Sequence, residues 1–235
     1  MSPLVSRTDA SGVVELCLER PAQRNAFTSE LLRELRAHVR DIGDDPSVRA
    51  VLLRGTGPVF CAGADLREFA DRDAHSPNDT LARVRLLVDV LRGLLELEAP
   101  TLALVQGAAV GGGWGLAMAC DLCWATEDAS FSLPEVAKGF RLPRVIVTRL
   151  AHIVGPVRAA QLVLGGDVLT AADAAAMGLV AARRPSGEAL QADGRAFAQR
   201  LAELPRATVQ AAKDPLRNLH QRSASPESDY IWNEE

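Results

Sequence analysis

The sequence predicts an α/β domain, and three observations carry that expectation. Apolar, β-branched segments of strand length alternate with amphipathic segments of helix length from residue 13 to residue 120. Clusters of glycine and other small residues follow the second and third predicted strands, at 55–63 and 111–113. Apolar residues make up 48% of the 235-residue chain, enough for a substantial core without disulfides or metals.

The elements follow in order. Val13 to Leu18 reads as a strand, and Pro21 to Asn25 as a turn. Ser29 to Ile42 has helical periodicity: Leu31, Leu32, Leu35 and Val39 share one face, and Glu30, Arg33, Glu34, Arg36 and Arg40 another. Thr28 is its N-cap, and Gly43-Asp44-Asp45-Pro46 ends it. Val48 to Leu53 is a buried strand, and 55–63 a glycine-rich connection. Asp65 to Asp73 is a candidate short helix, and His75 to Thr80 a polar, turn-rich loop. Leu81 to Leu97 is an amphipathic helix stopped by Pro100, and Thr101 to Gln106 is the third strand. Trp114 to Cys120 is helical. Beyond Ser132 the chain reads as helices at Val145–Val154, Pro156–Leu164, Ala171–Met177 and Leu190–Leu204. Pro156 and Thr170 are helix-start signals and Gly178 a stop. The tail from Ser223 is polar, with Tyr230, Ile231 and Trp232 as docking candidates.

Composition excludes several classes. The net charge is −4 with no basic block, which argues against a nucleic-acid partner. Cys17, Cys61, Cys120 and Cys123 sit among apolar or small residues and read as buried free thiols of a reduced compartment. Cys120 and Cys123 form a C-x-x-C, but no second Cys or His pair follows at ligand spacing, so no metal is expected. The N-terminus is polar, so no signal peptide is expected. The apolar stretch Thr101–Cys120 is broken by Gln106 and five glycines, a poor membrane span. The expectation is a soluble cytoplasmic protein.

The chemistry-bearing segment is Gly111-Gly112-Gly113, placed between a strand and a helix. Such a cluster exposes backbone N–H groups at a helix N-terminus, where they stabilise negative charge. A phosphate-binding Walker loop needs Gly-Lys-Ser/Thr at its end, which is absent. The dinucleotide fingerprint fails on its last position, filled by Leu116 or Met118 depending on the register. An oxyanion hole fits, and so does close packing of the helix on the sheet. A second small-residue segment, Phe60-Cys61-Ala62-Gly63-Ala64-Asp65-Leu66, follows the second strand and favours the oxyanion reading, which needs two converging donors. Glu135 follows Pro134 between Leu133 and Val136. It reads either as a part-buried general acid–base with a raised pKa or as a solvated glutamate after a turn. Asp65 reads first as a cap or turn contact, Trp114 as core or acyl-pocket lining, and Asp121 as a structural hydrogen bonder. His38, His75, His152 and His220 fall in no catalytic motif; Arg24, Arg67 and Lys213 are candidate phosphate contacts.

The segment 107–121 resembles the signature of the enoyl-CoA hydratase/isomerase (crotonase) superfamily. Leu18–Ala26, Phe131–Gly139 and Leu169–Val180 are similar to three further motifs of that family, in the family's order. The resemblance implies a spiral of repeated ββα units with a helical C-terminal region that builds homotrimers, often paired into hexamers. Residues 1–180 would form the spiral core with the thioester site, and 181–235 a shortened helical region. It implies that the backbone N–H groups of Ala64 and Gly112 hold a thioester oxygen and that Glu135 is the acid–base. Arg24, Ala26, Ala62, Asp65, Leu66, Trp114 and Gly115 would contact the acyl group or its coenzyme A moiety, which is part of the substrate; no separate cofactor is implied. Hydratases of the family carry a second glutamate where this chain has Gly115. A single retained base implies an isomerase type of reaction first, with hydration, decarboxylation on a coenzyme A or carrier-protein thioester, or a non-catalytic accessory role as alternatives. The stretch after Glu135 departs from the hydratase pattern: Gly139–Ile146 lacks the glycines of the family's Pro-Gly-x-Gly-Gly stretch, and bulky Phe140 and Arg141 would reshape the acyl pocket.

Overall fold

Strands buried on both faces need covering layers on both sides, and this requirement organises the computed structural model, which describes residues 2–65, 67–70 and 77–221. The first half of the chain runs β1 (Leu4–Thr8), β2 (Val13–Leu18), α1 (Ser29–Asp44), β3 (Ala50–Gly55), α2 (Arg67–Ala70), α3 (Pro77–Glu96), β4 (Thr101–Val105), β5 (Ala108–Val110) and α4 (Gly112–Ala119). The second half runs β6 (Leu122–Thr126), β7 (Ser130–Ser132), α5 (Arg144–Val154), α6 (Pro156–Gly165), β8 (Leu169–Thr170), α7 (Ala171–Ala176), β9 (Ala182–Arg184), α8 (Gly187–Glu203) and α9 (Arg206–Gln221).

The large sheet has the order β1-β2-β3-β4-β6-β9. The β1–β2 pair is an antiparallel hairpin; every later pair in this sheet is parallel. A smaller sheet, β5-β7-β8, is extended by two isolated parallel bridges, Cys61 with Ala109 and Phe27 with Ala64. Each turn of the chain therefore supplies one strand to the large sheet, one short strand or bridge to the small ladder, and then a helix. This is the repeated ββα spiral, and it brings residues 27, 64, 61, 109 and 131 into one lateral series.

One face of the large sheet packs Leu16, Leu18 and Leu53 into the main core with α1 and α3. The other face, with Val13, Leu52, Leu104 and Trp124, is covered by α8 through Leu190 and Ala198. Gly194 lets α8 approach: a Cβ there would lie 2.6 Å from Leu104 Cδ2. The predicted cap of α1 forms, with Thr28 Oγ1 accepting from Leu31 N–H at 3.2 Å.

The structure adds elements that periodicity missed. β1 and β5 to β9 span two to five residues each, too short for a period-2 pattern to stand out. β9 and α8, both beyond residue 180, join the large sheet and its covering layer. α9 runs through Pro215. α3 begins at Pro77, so 77–80 are helical rather than loop. His75, Asp71 to Asp73 and the tail residues Tyr230, Ile231 and Trp232 lie outside the described residues.

α9 is tied down by a buried charge. Lys213 Nζ sits 2.6 Å from Asp121 Oδ2 and donates to Ala99 O at 2.7 Å. The same Oδ2 accepts from Thr101 N–H at 2.7 Å and from Thr101 Oγ1 at 2.8 Å. Three donors converge on one oxygen and couple α9, the start of β4 and the end of α4. Asp121→Ala leaves the Lys213 ammonium buried and uncompensated, a loss of roughly 3 kcal/mol. Chemical denaturation measures that loss, and hydrogen exchange should show α9 amides losing protection before those of β3.

Candidate active site

The ladder between residues 24–27 and 62–65 sets the direction of the key amide. Ala62 N–H donates to Arg24 O at 3.0 Å, Phe27 N–H to Gly63 O at 2.9 Å, and Asp65 N–H to Phe27 O at 3.1 Å. In an extended chain, successive N–H groups point to opposite sides. The Ala64 N–H therefore points away from Phe27, and Ala64 lines a cavity of about 380 Å³.

The second donor comes from the helix that follows β5. Gly111 has φ +58° and precedes the first turn of α4, whose leading N–H groups have no partner within the helix. Gly112 lines the same cavity. The two segments interlock through Cys61 N–H to Ala108 O at 3.1 Å and Val110 N–H to Cys61 O at 3.0 Å. There is no room for side chains: a Cβ on Gly63 would lie 2.7 Å from Val110 O and 3.9 Å from Gly112 N, and one on Gly113 2.8 Å from Cys61 Sγ. The glycines thus provide the close packing, and their lack of side chains leaves the neighbouring amides bare.

Glu135 joins these amides. It opens the 3-10 turn Val136–Lys138 and lines the cavity. Its carboxylate lies against Gly111, where a Cβ would come within 3.1 Å of Glu135 Cδ. Glu135 Oε2 is buried and has no hydrogen-bond partner among the described residues. Burial pushes the Glu135 carboxyl above the ordinary glutamate range; its own N–H, the Lys138 ammonium and the Gly112 N–H draw it back only in part. The site therefore holds a carboxyl reluctant to ionise beside two backbone donors.

The other sequence-selected residues fall elsewhere. Ala62 lines the cavity. Trp114 is 1% exposed and packs on Phe131 with ring centroids 5.6 Å apart, as core. Gly115 is buried in α4, and a Cβ there would lie 2.7 Å from Ile146 Cδ1 and 3.7 Å from Leu91 Cδ1. Neither Trp114 nor Gly115 lines the cavity. Asp65 is turned toward Arg20, whose Nη2 is 3.1 Å from Asp65 Oδ2, and Arg20 also donates to Ala26 O. Arg24 and Ala26 lie on the ladder side, outside the lining. Leu66 lies outside the described residues. Lys213 is occupied by Asp121. The thiols of the C-x-x-C are buried: that of Cys120 is pushed up to about 12 and that of Cys123 higher still, so neither ionises readily.

Several lining residues carried no sequence signal. Phe27, Leu32, Val84 and Leu87 form an apolar wall, and Glu68 and Arg83 a polar part of it. Asn25 is fully buried: its side chain accepts from Arg20 N–H at 2.9 Å and donates to Val59 O at 2.7 Å. It holds the 20–26 segment in place. A polar residue in a turn-forming stretch resembles many surface turns, so its burial was not legible.

A family model for enoyl-CoA hydratase/isomerase matches residues 8–230. A probable enoyl-CoA hydratase of Mycobacterium tuberculosis is 32% identical over 225 residues, covering 94% of this chain and 83% of that protein. The probable mitochondrial enoyl-CoA hydratase 2 of Arabidopsis thaliana is 38% identical over 180 residues, covering 76% of this chain and 59% of that protein. A crystal structure of an enoyl-CoA hydratase from Mycobacterium smegmatis superposes with a TM-score of 0.86 at 32% identity, covering 97% of this chain and 86% of that one. With the ββα spiral, the paired glycine segments and this match along nearly its whole length, the chain belongs to the enoyl-CoA hydratase/isomerase family.

Proposed function

We propose that this protein moves the double bond of a 3-enoyl thioester to the 2,3 position, using Glu135 as its single shuttling base. The ionised Glu135 removes a proton from C2, and electron density moves to the thioester oxygen, giving a dienolate. The N–H groups of Ala64 and Gly112 hold that oxygen. Protonated Glu135 then returns the proton to C4, leaving the 2-enoyl thioester and the carboxylate as it began. The reading needs no cofactor beyond the coenzyme A, or carrier arm, within the substrate.

One observation carries the choice of isomerisation. Gly115 stands where a hydratase would hold its second carboxyl, and a Cβ there would lie 2.7 Å from Ile146 Cδ1. The cavity's other glutamate, Glu68, is engaged by Ser29, whose N–H and Oγ lie 3.1 and 3.2 Å from Glu68 Oε2. Relatives named as hydratases favour hydration as the second reading. Among the described residues no helix is long and apolar enough to cross a membrane. Exposed Val157 and Leu164 on α6, with nearby Val168, support assembly into homotrimers or hexamers. Light scattering should then return three or six times the 25.1 kDa chain mass.

Incubating the protein with 3-enoyl-CoA and 2-enoyl-CoA in deuterated water, followed by mass spectrometry, tests the reaction. Deuterium uptake without an added water mass is expected; rapid water addition to the 2-enoyl thioester would replace isomerisation with hydration. Glu135→Gln should lower kcat by at least about 100-fold while thioester affinity is retained.

The pH dependence follows from the raised Glu135 pKa. The base form accumulates only above the ordinary carboxylate range, so the acid limb of kcat/KM should be displaced upward and vanish from the residual rate of Glu135→Gln. Stability moves in the opposite direction. The folded state holds this proton more tightly than the unfolded chain, so folding stability falls as pH rises from the ordinary glutamate pKa through the raised one. Glu135→Gln should therefore be more stable than wild type at neutral pH, and the gain should disappear at a pH below the ordinary glutamate pKa, as read by thermal melts.

Gly115→Glu should not create a hydratase by itself. Ile146 blocks the side chain, and a carboxyl forced among Ile146 and Leu91 should cost several kcal/mol. Combining it with Ile146→Ala should recover part of that stability, measured by denaturation.

A further inference from the structure

The one-base reaction needs Glu135 ionised before substrate arrives, yet burial works against its carboxylate. The hydrogen-bond donors that reach the carboxyl are its own N–H and the Gly112 N–H. In the proposed reaction the Gly112 N–H is taken up by the thioester oxygen. A charge acting through space must then carry more of the work.

The charged groups on the elements around Glu135 differ in where they are directed. Glu68 of α2 and Arg83 of α3 line the same cavity but engage each other, with Arg83 Nη1 donating to Glu68 O at 2.7 Å. Arg141 also lines it, and Arg144 opens α5 just beyond Pro143. α6 packs on the 136–138 turn, and its one charged residue is the exposed Arg158. Asp167 follows α6 and turns back on it: a Cβ on Gly165 would lie 3.3 Å from Asp167 Oδ2. α4 carries no charge.

Lys138 is placed differently. Its N–H donates to Glu135 O at 3.0 Å and to Pro134 O at 3.1 Å, closing the 3-10 turn that Glu135 opens. Residues three apart eclipse on such a turn, so the two side chains leave the backbone on one side. Both line the cavity. Among these charges, it is the Lys138 ammonium that draws the Glu135 carboxyl toward its ionised form. Lys138 is exposed, so its ammonium keeps its water and exerts that pull without a burial cost.

Resting on the one-base reading above, we propose that Lys138 is a positioning residue that acts through Glu135: its ammonium, eclipsed with the shuttling base on one 3-10 turn, holds that base as a carboxylate ready for proton removal.

The pH profile of kcat/KM on 3-enoyl-CoA tests this in wild type, Lys138→Met, Lys138→Gln and Lys138→Arg. Loss of the charge should move the acid limb upward by at least about half a pH unit at low salt. Lys138→Arg should return it to the wild-type position. Raising the salt from about 0.01 M to about 1 M shortens the Debye length from about 30 Å to about 3 Å, so the wild-type limb should move toward that of Lys138→Met. Coincident limbs at low salt overturn the proposal. So does a uniform loss of rate at every pH with the limb unmoved, which is what a merely structural lysine would give.

Thermal melts read the same coupling without turnover. Without Lys138 the folded chain holds the Glu135 proton more tightly still. Glu135→Gln should therefore stabilise the Lys138→Met chain more than it stabilises wild type at neutral pH, and the excess should vanish below the ordinary glutamate pKa. Equal gains in the two backgrounds overturn the coupling. No turnover of any enoyl thioester would remove the one-base reading, and the melts alone would then decide whether Lys138 holds the Glu135 carboxylate.

Discussion

Backbone must touch backbone between residues 61–64 and 110–113, and the rest of the site depends on that contact. Cys61 exchanges hydrogen bonds with Ala108 and Val110, while Gly63 and Gly113 leave no volume between the segments. A single methyl at either glycine would meet Val110 O or Cys61 and force the strands apart. The Ala64 and Gly112 amides would then no longer share a cavity wall in the same geometry. Preorganised donors lose most of their advantage when they must move to meet the developing charge. The small ladder is therefore the part of the spiral that fixes these amides, and the large sheet and its two covering layers hold it still.

The same enclosure acts on Glu135 in the opposite sense. Removing water strengthens a donor aimed at an oxyanion and penalises a carboxylate beside it. Both effects would operate within one cavity, because Glu135 lies over Gly111, one residue before Gly112. A carboxyl that resists ionisation is a stronger base once ionised, which suits proton removal from a weakly acidic carbon. On the proposed mechanism an ionised carboxylate at 135 costs stability that an amide would not, and in that sense function and stability would oppose each other here.

The residues legible in the sequence are those whose role is set by local pattern. α1 was readable from Leu31, Leu32, Leu35 and Val39, and its cap from Thr28. The glycine segments were readable as places of close backbone approach, which Gly63 and Gly113 make, while the sequence left packing and anion binding both open. The short strands were not, because a three-residue strand such as Ser130–Ser132 is defined by its partners and not by its own periodicity. Arg83 and Glu68 belong to the same class. Each reads as an ordinary surface charge on an amphipathic segment, and only the packing of α2 and α3 against the N-terminus of α1 turns them inward. Gly115 was read as a missing side chain. The structure adds that Ile146 from α5 already occupies its place.

Gly111 and Gly115 lie one turn apart, joined by the Gly115 N–H to Gly111 O bond at 3.0 Å. At the first, the space a side chain would take is held by the Glu135 carboxylate; at the second, by Ile146. A polar group and a hydrocarbon group thus succeed each other along the same helix. α5 supplies the hydrocarbon, and it is fastened to the far end of α4 by Arg149 Nε donating to Met118 O at 2.9 Å. A side chain at 115 would require the end of the Ile146 side chain to move aside. Position 115 is therefore enclosed by packing across two helices and not defined by a single glycine.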